Sequence, residues 1–357
     1  MRIVVNTISD PVYPFTPFLA GWVDEWKKCN PEHEIIVLTR EDERLSPVTD
    51  IDIVSVKAPS SFLSASFKQR IKKELKRLQP DRFFSVMPLS GMEGYIWIAS
   101  PLELMMKEAA HAHNQAEYVS KLQKEVTSAG SIVLFTIAET MWLIDKLKIQ
   151  EEKIKLVYKS PATLLSPAGW EERESVKEQY ADGNEYFLCH PTKSVEVLTW
   201  VLKAFSGFKK WQRSNMKLLV SAETELHEAV KNLLEHYRFH DDVVVTEAEN
   251  DIYYKLLRSA YAVLLPERFF PATDLMYAAF SCEVPVLTAG ASACADVSEG
   301  ASLNFVYENK EDLTRVMLEI FRDEQLRGQL VSKGKQILAA QLELPEVHPF
   351  QRLISNS

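Results

Sequence analysis

The sequence predicts an α/β protein made of two doubly wound domains. Three observations carry that prediction. Short apolar runs alternate with helical patterns along nearly the whole chain. The runs are rich in Val, Ile and Leu without polar alternation, as expected of parallel strands covered on both faces. One segment, 159–170 (KSPATLLSPAGW), breaks the pattern with two prolines, serines and a glycine, and the alternation then restarts.

In the first half the expected strands are Arg2–Asn6, Glu34–Leu38, Ile51–Val56, Arg82–Met87, Tyr95–Ala99, Ser131–Thr136 and Lys155–Tyr158. Helices are expected near 16–28, 64–78, 102–127 and 138–147. In the second half the strands are Tyr186–Cys189, Met216–Val220, Asp242–Thr246, Tyr261–Leu265 and Val284–Thr288. A loop and a last strand follow, ending near Phe305. Helices near 171–181, 195–210, 222–238, 250–259 and 274–282 separate these strands, and 311–341 reads as helical. This divides the chain into 1–165 and 166–340, with the tail 341–357 expected to pack back on the first domain. In doubly wound sheets ligands bind outside the carboxyl ends of the strands, and with two domains the cleft between them is the expected site.

Composition narrows the function classes. The chain has 357 residues, 46% hydrophobic, enough for two full cores. No apolar run reaches membrane-spanning length, and MRIVVN enters a strand without a signal-peptide lead. A net charge of −9, from 50 acidic and 41 basic residues, argues against a nucleic-acid partner. The basic run 68–77 (KQRIKKELKR) reads either as the solvated face of a helix or as a peripheral membrane contact. Four widely spaced cysteines suit reduced thiols in a cytoplasm rather than zinc or disulfides. His111 and His113 are a poor metal pair on a helix. His236 and His240, four apart, read as a helix end before a metal site, so no metal is expected. Glycine is scarce, 11 residues with no GxG, so no phosphate-cradling loop is evident.

Several segments together resemble family 4 glycosyltransferases of the GT-B type, particularly bacterial members. They are 202–220 (LKAFSGFKKWQRSNMKLLV), 282–288 (CEVPVLT), 323–334 (DEQLRGQLVSKG), 153–158 (KIKLVY) before the 159–170 linker, and 30–34 (NPEHE). The likeness spans most of the chain in layout and is sharpest from about 186 to 340. It implies two Rossmann-like domains facing across a cleft. It also implies retaining transfer of a sugar from a nucleotide-diphosphate donor to an acceptor hydroxyl, on a glycan or a lipid-linked molecule. No cofactor or metal is implied beyond the donor substrate.

The residues that match or miss the family pattern follow from that alignment. Anchored on Cys282-Glu-Val-Pro-Val, the family's two donor-site glutamates fall on Phe270 and Ala278, and Pro271 and Thr273 stand for its glycines. Glu267 and Asp274 are the nearby carboxylates that would take the catalytic, sugar-facing role. They would do so only if the loop is rebuilt; otherwise they are a loop acid and a first-turn acid favourable to the helix dipole. Thr273 is an expected N-cap and, with the helix start, a phosphate contact. The loop 189–194 (CHPTKS) aligns with the family's phosphate loop after a three-residue slip. This makes Lys193 a phosphate cation with His190 and Thr192 beside it, or else a surface lysine. Arg268 is the second candidate cation. On the acceptor side the family's histidine aligns with Ser100 and its Ser-Glu with Ala138-Glu139, of which Glu139 alone matches. The family's Gly-rich loop is replaced by 9–17 with three prolines, which lack N–H donors. The resemblance thus implies a glycosyltransferase with a rebuilt donor site. The alternative is a catalytically impaired homologue serving as a binding or partner subunit of an active glycosyltransferase.

Overall fold

A computed structural model describes residues 1–8, 16–40, 51–57, 65–89, 92, 94–98, 120, 122–124, 126–158, 164–190, 195–222, 227–247, 250–268 and 272–343. The chain divides into two compact units, Met1–Val157 with Val347–Ser357, and Tyr158–Glu346.

In the first unit the strands are β1 (Arg2–Asn6), β2 (Glu34–Arg40), β3 (Asp52–Val56), β4 (Arg82–Ser85), β5 (Ile96–Ile98), β6 (Ser131–Leu134) and β7 (Ile154–Leu156). They form one parallel sheet in the order β3-β2-β1-β4-β5-β6-β7. The helices are α1 (Thr16–Cys29), α2 (Ala65–Leu78) and α3 (Ile137–Leu147). Of the helix expected over 102–127, residues 120, 122–124 and 126 are described and are helical. Both faces of the sheet are covered. Val4, Ile36, Trp97, Ile132 and Leu134 pack on one side, and Ile3, Val5, Phe84, Ile98 and Val133 on the other. This two-sided burial is why the strand sequences are continuously apolar.

The second unit repeats the plan. Its strands are β8 (Tyr186–Cys189), β9 (Lys217–Ala222), β10 (Val243–Glu247), β11 (Ala262–Leu265), β12 (Val286–Ala289) and β13 (Ser302–Phe305). They are all parallel, in the order β10-β9-β8-β11-β12-β13. The helices are α4 (Trp170–Ala181), α5 (Val195–Trp211), α6 (His227–Glu235), α7 (Asn250–Ser259), α8 (Thr273–Ser281), α9 (Ala293–Val297), α10 (Lys310–Arg322) and α11 (Glu324–Glu343).

Three local features differ from the sequence reading. The helix expected over 311–341 is two helices, interrupted at Asp323, whose φ and ψ are extended and whose carboxylate accepts from Leu326 N at 2.8 Å. The expected loop after β12 contains α9, because Ser292 caps it by accepting from Ala295 N. Of the helix expected over 222–238, Ala222 belongs to β9, α6 covers His227–Glu235, and 223–226 lie outside the described residues.

Buried lysines pin the turns of the second unit. Lys209 Nζ donates to the carbonyls of Ser214 and Met216, and pairs with Asp242 at 3.0 Å. Lys217 donates to Asp241 O and pairs with Asp182. Lys177 bridges Glu174 and Glu185. A buried ammonium is tolerated only when paired and hydrogen-bonded in this way. Arg258 similarly grips Glu172 with two N–H groups, at 2.9 and 3.1 Å, and donates to Ser166 O.

Candidate functional site

In each sheet the chain reverses its winding direction between two central strands, and the crevice for a ligand opens at their carboxyl ends. In the first unit these are β1 and β4. Their ends are tied together: Asn6, fully buried, donates from Nδ2 to Ser85 Oγ at 3.0 Å. Ser85 Oγ donates to Met87 O at 2.8 Å, and Thr7 Oγ1 donates to Leu38 O. Among the described residues, Asn6, Thr7 and Ser85 thus find partners within the fold.

The second unit is different at the equivalent place, between β8 and β11. His190 follows β8, and its backbone N–H donates to Leu264 O at 2.9 Å. Among the described residues its enclosed ring Nδ1 has no hydrogen-bond partner. Tyr253 of α7, 4% exposed, sets its ring edge-on to His190 at 5.9 Å, and its hydroxyl is also enclosed without a partner. Glu267 and Arg268 follow β11, and Asp274 lies in the first turn of α8. Two orphaned polar groups at one crevice are an expensive arrangement, because each unpaired buried group costs about 1–3 kcal/mol.

The electrostatics join these residues. Burial lowers the His190 pKa to about 4, against an opposing pull from Asp274, so the ring is neutral at pH 7. Burial raises Tyr253 well above its ordinary value, with Cys189, Tyr254, Asp274 and Cys294 adding to it. The Cys189 thiol is pushed up by burial and then by Glu267, and Cys294 by burial and then by Asp274. Both are therefore protonated, inert thiols. Asp274 is the shared negative charge of this cluster, and Glu267 acts on its edge.

Of the residues singled out in the sequence, His190, Glu267, Arg268 and Asp274 lie at this crevice. Thr273 is fully buried and is the first residue of α8. The N-cap is Ala272, which makes no side-chain cap bond, so Thr273 is not the N-cap that the sequence suggested. Ala278 is 1% exposed and packs in the core with Met276 and Tyr277, so its position offers nothing polar to a ligand. Glu139 is buried in a capping box at the start of α3. Its N–H donates to Thr136 Oγ1, and its carboxylate accepts from Thr136 Oγ1 at 3.1 Å and from Phe135 N at 3.4 Å. Thr192, Lys193 and Ser100 lie outside the described residues, as do Phe270, Pro271 and most of the proline-rich segment 9–17. Among the described residues no group of three or more His, Cys, Asp and Glu side chains is placed to hold a metal ion. His240 instead donates from Nδ1 to Tyr237 O at 3.1 Å and contacts Asp241 in a short 3-10 turn.

No family model and no curated protein matches the sequence. Solved structures do match the fold over the full chain. WaaG, a glycosyltransferase involved in lipopolysaccharide biosynthesis, superposes with a TM-score of 0.68 at 13% identity, covering 100% of this chain and 98% of that one. Sucrose-phosphate synthase from Thermosynechococcus elongatus gives 0.70 at 12% identity, with 100% of both chains covered. HepE of Anabaena, in complex with UDP and glucose, gives 0.67 at 14% identity, covering 99% and 98%.

The fold is GT-B.

Within this GT-B chain, Tyr253 is the crevice residue that sequence reasoning missed. It sits at an apolar phase of α7, where a tyrosine reads as core, and only its stranded hydroxyl sets it apart. No described helix is long and apolar enough to cross a membrane.

Proposed function

We propose that this GT-B protein binds a nucleotide-diphosphate sugar at the carboxyl edge of its second sheet. It transfers the sugar, with retention of configuration, to a hydroxyl of a glycan or lipid-linked acceptor in the cytoplasm. The observation that carries this reading is the pair of stranded polar groups, His190 Nδ1 and the Tyr253 hydroxyl, at the crevice between β8 and β11. A ligand rich in acceptors would give the tyrosine hydroxyl the partner it lacks, and a donor on the ligand would do so for a neutral imidazole. At the equivalent place in the first unit the described groups Asn6 and Ser85 are already hydrogen-bonded.

In this reading Arg268 and Lys193 offset the charge of the diphosphate, with Thr192, Thr273 and the start of α8 adding donors. Asp274 and Glu267 accept hydrogen bonds from sugar hydroxyls. During transfer the bond from the anomeric carbon to the diphosphate breaks and a bond to the acceptor oxygen forms. The acceptor proton is taken up by the departing diphosphate. The chain's contribution is mostly electrostatic stabilisation of that leaving group. UDP bound to HepE, which shares the fold, is consistent with this ligand class.

A second reading rests on Ala278. The family pattern places a carboxylate there, and here the position is sealed in the core. A chain that binds the donor without transferring it, as the partner subunit of an active glycosyltransferase, would look this way.

Calorimetric titration with UDP, GDP and ADP separates these readings from no binding at all. At least one nucleotide is expected to bind, and Arg268→Ala and Lys193→Ala each to weaken it about tenfold, the worth of one charge-assisted hydrogen bond. If none binds at millimolar levels, both readings fail. If one binds but its sugar nucleotide is never turned over with any acceptor, the partner-subunit reading stands.

A further inference from the structure

The packing of α5 against α10 builds a second polar groove that shares no residue with the crevice. Gly207 lets the two helices come close: a Cβ there would lie 2.5 Å from Thr314 Oγ1. The Thr314 hydroxyl donates across the contact to Ala204 O at 2.8 Å. At the end of α5, Trp211 projects with 75% of its surface exposed. A single exposed tryptophan needs no explanation by itself. Here, however, the indole walls two open concavities, of about 490 and 440 Å3. Each is within the usual span of ligand pockets, about 300–1,000 Å3.

The two concavities differ in charge. The larger is lined by Lys203, Lys210 and Lys310 against one acid, Glu311, which contacts Lys310 at 3.5 Å. Lys203 and Lys210 form no ion pair among the described residues. The smaller has its arginines already engaged: Arg315 with Asp312 and Glu319, and Arg322 with Gln212. Excess positive charge therefore sits on one side of an exposed aromatic wall, and Ser206 and Thr314 also line that side.

We infer that this groove binds an anionic saccharide. One sugar ring stacks its C–H face on the Trp211 indole, whose π face is electron-rich. A carboxylate or phosphate on the saccharide lies among Lys203, Lys210 and Lys310. A bilayer surface fits less well. Membrane-seated helices present a broad apolar face, whereas here Trp211 has Leu318 as its apolar neighbour and Glu311 and Glu319 at the rim. The site is independent of donor binding and stands or falls separately from it.

The test is titration of the intact protein with trigalacturonic acid, maltotriose and phosphatidylglycerol vesicles, by calorimetry and tryptophan fluorescence. Trigalacturonic acid is expected to bind at least about tenfold tighter than the neutral maltotriose, with an affinity that falls as salt is raised. Trp211→Ala and Lys210→Glu are each expected to weaken it about tenfold or more, while Arg268→Ala leaves it unchanged. Both substitutions are on exposed positions, and unchanged far-ultraviolet circular dichroism confirms the fold. Three results would overturn the inference: no binding at millimolar levels, equal binding by the Trp211→Ala variant, or Trp211-dependent binding to vesicles alone.

Discussion

Tyr253 and His190 show how a single atom can carry a functional argument. The Tyr253 ring packs like any core aromatic, but its hydroxyl is stranded. Tyr253→Phe removes an unsatisfied buried group, so unliganded stability in urea is expected to rise, by about 1 kcal/mol. The same change is expected to weaken nucleotide binding, which calorimetry would read. A variant less stable than the parent would mean that the hydroxyl is satisfied after all. For His190 the sign follows from its lowered pKa of about 4 in the fold. The unfolded chain, with an ordinary histidine pKa near ~6.5, takes up the proton first. Its contribution to stability is therefore complete above the unfolded value and is lost as pH falls from about 6.5 to about 4, by at most ~3 kcal/mol. His190→Gln is expected to flatten that part of the stability–pH curve. The charge of Asp274 opposes the shift, so without it the His190 pKa would be lowered further.

At the scale of elements, close helix contacts are made possible by absent side chains. Gly334 of α11 lies against Phe280 of α8, and a Cβ there would meet the ring carbons at 2.7 and 2.9 Å. Phe280 is 3% exposed, so the ring has little room to move. Gly334→Ala is expected to cost about 1–3 kcal/mol, more than the ordinary helical gain from alanine. Chemical denaturation checks it, and a neutral or stabilising result would show that α11 can shift on α8. The strand and helix pattern of both units was legible in the sequence because two-sided burial writes continuous apolar runs. What was not legible at this scale was capping. Ser292 makes α9 out of an apparent loop, and Asp323 divides one expected helix into two. Both depend on a side-chain oxygen meeting a particular N–H, which residue type permits but does not compel.

At the scale of the molecule, each unit has its own cores, so ligand binding to one should act on that one. With UDP in excess, hydrogen exchange is expected to slow in β8, β11, α7 and α8 of the second unit, by mass action on its unfolding. Protection confined to the first unit would remove the β8–β11 crevice as the nucleotide site. The proline-rich linker led to an expected division at 165 and 166, and the compact units meet at Val157 and Tyr158.

The order of apolar runs, their lengths and the break between halves determined the doubly wound architecture from the sequence alone, because the burial period of a parallel sheet is a local property. The sequence also put His190, Glu267, Arg268 and Asp274 forward as candidates. Only the tertiary structure decided that Glu139 serves a capping box, that Ala278 is sealed in a core, and that Tyr253 meets His190 at the polar crevice. Such facts depend on which atoms from distant parts of the chain end up adjacent and unpaired, and no local pattern records that.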